Sequence, residues 1–238
     1  LLLVAGGRGG SDFFQGLLDS HSQIHQFPGL FNNEKIFQIL SLKNPHDITK
    51  EFINTYPNFF DSKLSNQLSN RERHDNLGPK KNQSYKLSKY EFTENFIKIC
   101  NKKKSLTKIE ILKNLHIAYD LAKEKKKGKK KIIFIHTHII HFTKRFVKFI
   151  DYQDVVIIHA MRNPLSALNS PVKNWLKFEN GKSFFPSSLY FQLDLVFNGI
   201  NELKKIKKKL FIVQLEKLHW EHKKVMNDFC KIFNIKYE

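Results

Sequence analysis

A glycine-rich turn near the start of the chain carries residue types suited to holding an anion. An apolar segment, residues 1–5, runs into this turn, which contains one cation, Arg8, one hydroxyl, Ser11, and the glycines Gly6, Gly7, Gly9 and Gly10. Apolar residues at helical spacing follow, so the pattern predicts a strand, a tight turn and a helix. The first N–H groups of a helix lack intrahelical acceptors, and the helix dipole favours negative charge there. Because glycines let the backbone approach an anion closely, the turn predicts a phosphate- or sulfate-binding site.

A second anion-binding candidate follows an apolar strand pattern in the third quarter of the chain. The segment VVIIHAM, residues 155–161, leads directly into Arg162, and Asn163-Pro164 predicts a turn. Ser170 lies eight residues after Arg162. The guanidinium offers a fixed fork of donors that matches phosphate geometry, and the hydroxyl adds another. Alternatively, Arg162 caps a strand or pairs with an acidic side chain, because this spacing alone is a weak signal.

Together the two segments resemble the sulfotransferase family, whose sulfuryl donor is 3′-phosphoadenosine 5′-phosphosulfate. The R-G-G-S run at Arg8 resembles the family's 5′-phosphosulfate loop, and R-N-P-x5-S at Arg162 resembles its 3′-phosphate motif. The segment 210–238 resembles the family's closing strand, acidic residue and helix, with Glu216 expected in a structural role. Residues 43–130 do not align with the family pattern. The resemblance implies a donor site formed by Gly6, Gly7, Arg8, Gly9, Gly10, Ser11, Asp12, Phe13, Arg162 and Ser170, with Arg8 also serving the leaving phosphate.

A pair of histidines is the candidate for the base that takes the acceptor's proton. His136 and His138 follow the strand pattern IIFIH and, as strand-end residues separated by one position, would face the same side. They resemble the H-x-H that uronyl 2-O-sulfotransferases place before their R-D-P motif, which implies a catalytic role toward the acceptor. Histidine titrates near neutrality, as a general base requires. A core or surface role stays open for each, because the chain has 11 histidines.

Asp12 departs from the family pattern, which has threonine at the corresponding position. A carboxylate there suits the helix dipole but would repel a phosphosulfate, so we expect its side chain to point away and to cap the helix. No metal is expected. His136, His138 and His141 could share one, but no carboxylate or cysteine lies at ligand spacing along the sequence.

The order of strand and helix patterns predicts an α/β fold. Strands or extended segments are expected at 1–5, 24–29, 132–136, 155–161 and 210–215, and helices at 33–42, 47–60, 90–101, 105–124, 141–150, 186–207 and 222–233. This alternation favours three layers, with a central parallel sheet and helices on both faces. The expected class is P-loop-containing nucleotide-hydrolase-like, with a helical and loop insertion in the middle. Ligands of such sheets bind at the carboxyl ends of the strands, where we expect Arg8, Ser11, the two histidines, Arg162 and Glu216 to converge.

Length and composition favour a single domain over residues 1–238, with the polar, turn-rich segment 61–89 as a flexible loop. The chain opens inside a strand and without Met, so we expect a domain trimmed at its N-terminus. A lost leader or anchor therefore stays open, and a cytoplasmic location is favoured without being assigned. No apolar stretch is long enough to span a membrane. The oligomeric state is not predicted.

The formal net charge of +19 suggests an anionic partner. A general abundance of lysine in the composition would also produce this charge, and that explanation is favoured. The resemblance implies a nucleotide donor and a hydroxyl- or amine-bearing acceptor, with an acidic saccharide as the candidate. A basic nucleic-acid-binding module is one alternative, disfavoured because the lysine runs lack interleaved aromatic residues. A P-loop-type small-molecule kinase is the other, and the turn lacks the G-K-[ST] lysine that such a loop needs.

Overall fold

The computed structural model describes residues 2–6, 10–19, 21–31, 33–64, 80, 82–103, 105–123, 131–167, 169, 194 and 198–238. The strands are Leu2–Gly6 (β1), Ile24–Gln26 (β2), Ile132–His136 (β3), Val155–Met161 (β4) and Lys209–Gln214 (β5). The α-helices are Ser11–Leu17 (α1), Lys35–Ile39 (α2), Pro45–Thr55 (α3), Lys89–Cys100 (α4), Lys108–Lys123 (α5), Ile140–Ile150 (α6), Leu215–Trp220 (α7) and His222–Ile232 (α8). Residues 164–167 and 198–204 are also helical, and Pro57–Phe59 forms a 3₁₀ turn.

The chain divides into two compact units. The first comprises Leu1–His21, His136–Lys148 and Gln153–Glu238, and the second comprises Ser22–Ile135 and Phe149–Tyr152.

In the first unit, β1, β4 and β5 pair in parallel, with β4 between the other two. Gly6 lies opposite His159, and Met161 lies opposite Gln214. Because the strands are parallel, the segments that follow them leave the sheet at the same edge. This register places the glycine-rich turn after β1 and the R-N-P segment after β4 on neighbouring strand ends.

Apolar packing fixes the helices of the first unit. Ile140, Ile157 and Leu203 form a buried cluster that joins α6, β4 and the helical residues 198–204. The ring of Phe14 on α1 meets the ring of Phe229 on α8 edge to face, with centroids 5.3 Å apart. Aromatic pairs favour this arrangement, so the contact positions the first helix beyond what its area burial alone would do.

The second unit contains β2 and all of β3 except its last residue, His136, and these two strands also pair in parallel, with Ile24 opposite Ile132. Its core is aromatic, and its largest fully buried rings include Phe31, Phe52, Tyr56, Phe59, Phe60, Phe92 and Phe96. The Tyr119 hydroxyl donates to the Phe59 carbonyl oxygen at 2.6 Å, which satisfies a polar group inside this cluster. An isolated antiparallel bridge between Asp61 and Lys86 brings together the two ends of segment 61–89.

The α/β class and the parallel strand pairing agree with the sequence prediction, and several element bounds differ. The helix predicted over 47–60 ends at Thr55, because Pro57 cannot continue it and Tyr56 takes a φ of −124°. The short helix α7 was not predicted. The predicted helix 186–207 is described mainly over 198–204, and residues 65–79 and 81 of the predicted flexible loop lie outside the described residues. Among the described residues, no helix has the length and apolarity to cross a membrane.

Candidate active site

The glycine-rich turn enters α1 at Gly10, whose φ of 104° lies in the left-handed region. A Cβ at this position would lie 2.4 Å from Cδ1 of Leu215, the first residue of α7. Glycine therefore permits both the backbone conformation and the close approach of the turn to α7. The next residue, Ser11, is buried, and the Phe14 N–H donates to the Gly10 carbonyl oxygen at 3.1 Å to close the first turn. Gly7, Arg8 and Gly9 lie outside the described residues.

The R-N-P turn after β4 is held by an acidic residue from α7. The backbone N–H of Asn163 donates to Oε1 of Glu216 at 2.6 Å. This hydrogen bond, more than the nearby charge of Arg162, lowers the pKa of Glu216 below its ordinary value. Asn163 Oδ1 accepts from the N–H groups of Leu165 and Ser166, which starts the helical residues 164–167. Glu216 thus has the structural role that the sequence predicted, while Ser170 lies outside the described residues.

The two histidines lie together and share a carboxylate. His136 ends β3, His138 precedes α6, and their rings meet edge to face with centroids 4.8 Å apart. Oδ1 of Asp12, in the first turn of α1, lies 3.1 Å from Nε2 of His138 and 3.7 Å from Nε2 of His136. We expected the side chain of Asp12 to point away and to cap the helix, but the structure places its carboxylate beside the two histidines, and the N-cap of α1 is Gly10. The sequence argument against a shared metal was that no carboxylate lies at ligand spacing. The fold removes this objection, because Asp12, 126 residues from His138, brings a carboxylate close enough to share a metal with the two histidines.

The two histidines differ in burial and therefore in how readily each can accept a proton. Burial lowers the pKa of His136 to about 3, and His138 lowers it further while Asp12 opposes the shift. His136 is therefore neutral at neutral pH and a weak base. The side chain of His138 is 17% exposed, against 1% for His136. His138 is the better placed of the two to exchange a proton with an acceptor.

Neighbouring contacts hold this arrangement in place. The buried hydroxyls of Thr137 and Thr143 lie 2.6 Å apart, which ties the residue between the histidines to α6. The ring of Phe13 stacks on the imidazole of His219 with centroids 4.6 Å apart, so α1 contacts α7 a second time. Neither Leu215 nor His219 was singled out from the sequence, because their partners are distant along the chain.

The predicted site residues thus form two groups within the first unit, both beginning at the first turn of α1. One group joins Asp12 to His136 and His138, and the other joins Gly10 through Leu215 and Glu216 to the turn at Arg162 and Asn163. Gly6 ends β1, and Ser11 and Phe13 lie on α1. The described residues therefore bring two imidazoles and a carboxylate together, and they place the entry to α1 close to α7, which holds the Asn163 turn.

This architecture is similar to that of solved sulfotransferase domains. A sulfotransferase domain from the curacin biosynthetic pathway matches over 100% of this chain and 75% of its own length, with a TM-score of 0.55 and 13% identity. A sulfotransferase domain from the Synechococcus PCC 7002 olefin synthase matches over 100% and 73%, with a TM-score of 0.45 and 12% identity. No family model and no curated protein matches the chain. The chain has a sulfotransferase-type α/β fold, and at this identity the likeness defines the fold alone.

Proposed function

We propose that this chain is a sulfotransferase that transfers a sulfuryl group from 3′-phosphoadenosine 5′-phosphosulfate to a hydroxyl or amine. One observation carries the proposal: β1 and β4 are parallel neighbours with Gly6 opposite His159. The turn after β1 and the R-N-P turn after β4 therefore leave the sheet at one edge, where open parallel sheets bind ligands. The sulfotransferase-type fold supports the same assignment.

The donor would lie across the ends of these two strands, with its two anionic groups on different turns. The N-terminal turn of α1 and Ser11 would bind the 5′-phosphosulfate, and Arg8 would neutralise the leaving phosphate. Arg162, with Ser170, would bind the 3′-phosphate through the guanidinium fork. Glu216 would act indirectly, because its hydrogen bond with Asn163 fixes the turn that carries Arg162.

In the transfer step, the acceptor oxygen or nitrogen forms a bond to sulfur while the bond from sulfur to the 5′-phosphate oxygen breaks. The products are the sulfated acceptor and adenosine 3′,5′-bisphosphate. The acceptor's proton passes to His138. Since a carboxylate only accepts hydrogen bonds, Nε2 of His138 carries the hydrogen that faces Asp12, and Nδ1 is the basic nitrogen. Asp12 would then orient the imidazole and stabilise the imidazolium that forms.

The acceptor class is proposed from charge. An acidic saccharide that bears hydroxyls or amines would complement the formal net charge of +19, part of which reflects the lysine-rich composition. The proposal treats residues 1–238 as one functional domain, because the donor residues come from segments about 150 residues apart.

Binding of adenosine 3′,5′-bisphosphate tests the donor site. At a concentration 100 times its Kd, the nucleotide would stabilise the protein by about 2.7 kcal/mol, which raises Tm by about 5–10 °C. Arg162→Ala is expected to abolish this shift. Arg145→Ala removes the same charge from the exposed face of α6 and is expected to keep it. The absence of any shift at millimolar nucleotide would contradict the proposal.

Mass spectrometry of an acceptor panel incubated with the donor tests the reaction. The expected result is an added sulfate on at least one hydroxyl- or amine-bearing compound. His138→Ala is expected to lose transfer while keeping the nucleotide-induced Tm shift, because it removes the base and leaves the donor residues intact. His141→Ala, a matched change at an exposed histidine of α6, is expected to keep both.

A further inference from the structure

We propose that Asp12, His136 and His138 form a binding site for a zinc ion. One ligand atom from each residue lies within 4.8 Å of the other two. Two imidazole nitrogens and one carboxylate oxygen are a donor set that zinc takes in proteins when a fourth position is left open.

The spacing of the ligand atoms fits a tetrahedral ion. Zinc holds nitrogen and oxygen ligands at about 2.0–2.2 Å, which places two such ligands about 3.3–3.6 Å apart in tetrahedral geometry. Oδ1 of Asp12 lies 3.1 Å from Nε2 of His138 and 3.7 Å from Nε2 of His136. Both of these distances are within a few tenths of an ångström of the tetrahedral spacing, and the two histidine ligand atoms lie within 4.8 Å of each other.

The supports of the three ligands are independent of one another. His136 is buried at the end of β3, and Thr137 is tied to Thr143 of α6. Asp12 lies on α1, which Gly10 and Phe13 hold against α7. Ligands on anchored elements keep their geometry, as a metal site requires. The side chain of Asp12 is 73% exposed, so an ion and its fourth ligand can enter from that side.

Zinc at this site would occupy the place of the proton between His138 and Asp12. The bound imidazole could no longer orient its Nε2–H toward the carboxylate, and a cation would stand beside the proposed base. Zinc binding at this site does not depend on the proposed function. If the chain is a sulfotransferase, added zinc would inhibit sulfuryl transfer and a chelator would restore it, and this effect on activity does rest on the proposed function.

Titration of the purified protein with ZnCl2, without nucleotide or acceptor, tests the site. We expect one zinc ion to bind tightly to each protein molecule, as measured by calorimetry or by competition with a chromogenic chelator. With CoCl2 as the probe, we expect the visible absorption of a tetrahedral cobalt ion. Asp12→Ala and His138→Ala are each expected to weaken binding at least about tenfold, since even an outer-shell partner is worth that much.

Two matched variants control for charge and for imidazole number. Asp19→Ala removes an exposed carboxylate just after α1, and His141→Ala removes an exposed imidazole of α6, and both are expected to bind zinc as the parent does. Circular dichroism reports whether each variant is folded, and His136→Gln serves as a milder change at the buried ligand. No binding by the parent, or equal binding by the ligand and control variants, would overturn the proposal. If the protein binds zinc here but transfers no sulfate, the zinc site stands and only the proposed reaction is refuted.

Discussion

Replacing Gly10 by alanine is expected to destabilise the protein by about 2–5 kcal/mol. The φ of 104° costs an L-residue about 1–2 kcal/mol, because its Cβ crowds the backbone. The new Cβ would also lie 2.4 Å from Cδ1 and 2.9 Å from Cδ2 of Leu215. Forcing that side chain aside costs a further 1–3 kcal/mol or so, typical of overpacking. The two contributions act on the same turn and are expected to add.

Urea unfolding followed by circular dichroism measures this loss as a lower midpoint at an unchanged m value. A double-mutant cycle with Leu215→Ala separates its two parts. Shortening Leu215 removes the steric contact but leaves the strained φ, so the pair is expected to show a favourable coupling of about 1–3 kcal/mol. The change at Gly10 also displaces the start of α1, so it is expected to weaken binding of adenosine 3′,5′-bisphosphate.

Gly16→Ala is the matched control within the same helix. Gly16 has helical backbone and no atom within 4 Å of an added Cβ, so alanine there is expected to stabilise the protein by up to about 1 kcal/mol. Equal effects of the two glycine substitutions would refute the argument from the close approach to α7. So would a Leu215→Ala change that brings Gly10→Ala no relief.

Three further changes test other parts of the structure. Glu216→Ala frees the Asn163 turn and is expected to weaken binding of adenosine 3′,5′-bisphosphate roughly tenfold by calorimetry, about 1.4 kcal/mol, whereas Glu221→Ala keeps full affinity. Unchanged affinity in the first variant would contradict this. His116 is buried and its pKa falls to about 3, so between pH 6.5 and 3 the unfolded chain binds a proton that the folded chain does not. Stability should therefore drop by about 2 kcal/mol more between pH 7 and 5 in the parent than in His116→Gln, measured by urea unfolding, and equal drops would contradict it. Leu203→Ala empties a fully buried position and is expected to cost about 2–5 kcal/mol, while a cost below about 1 kcal/mol would mean that its cluster repacks.

The strands of this fold could be read from the sequence where apolar runs are unbroken and clearly bounded. The predictions 132–136 and 155–161 coincide with β3 and β4, because both are buried along their length and contain no competing helical period. The six-residue helix α7 escaped prediction. It follows β5 without a turn residue, and its apolar positions, Leu215 and Leu218, are too few to set a period.

The sequence indicates where the candidate site residues lie along the chain, but it does not indicate their partners. Local pattern places His138 after a strand and Asp12 in a first helical turn. Nothing local indicates that two residues 126 positions apart share a hydrogen bond. The close approach of Gly10 to Leu215 is likewise a property of strand order, which a single sequence does not encode in any short segment. Tertiary structure therefore decides which chemistry each predicted residue performs.

The pairing of β1 with β4 has a consequence for biosynthesis. Leu2 lies opposite Val155 in the finished sheet, so the ribosome makes β4, one neighbour of β1, roughly 150 residues after β1. At about 5–20 residues per second, a ribosome needs roughly 10–30 s to supply it. Until β4 has been made, the edge of β1 that pairs with β4 in the folded sheet has no partner there. The yield of soluble protein is therefore expected to rise when translation is matched with chaperones that shield this edge.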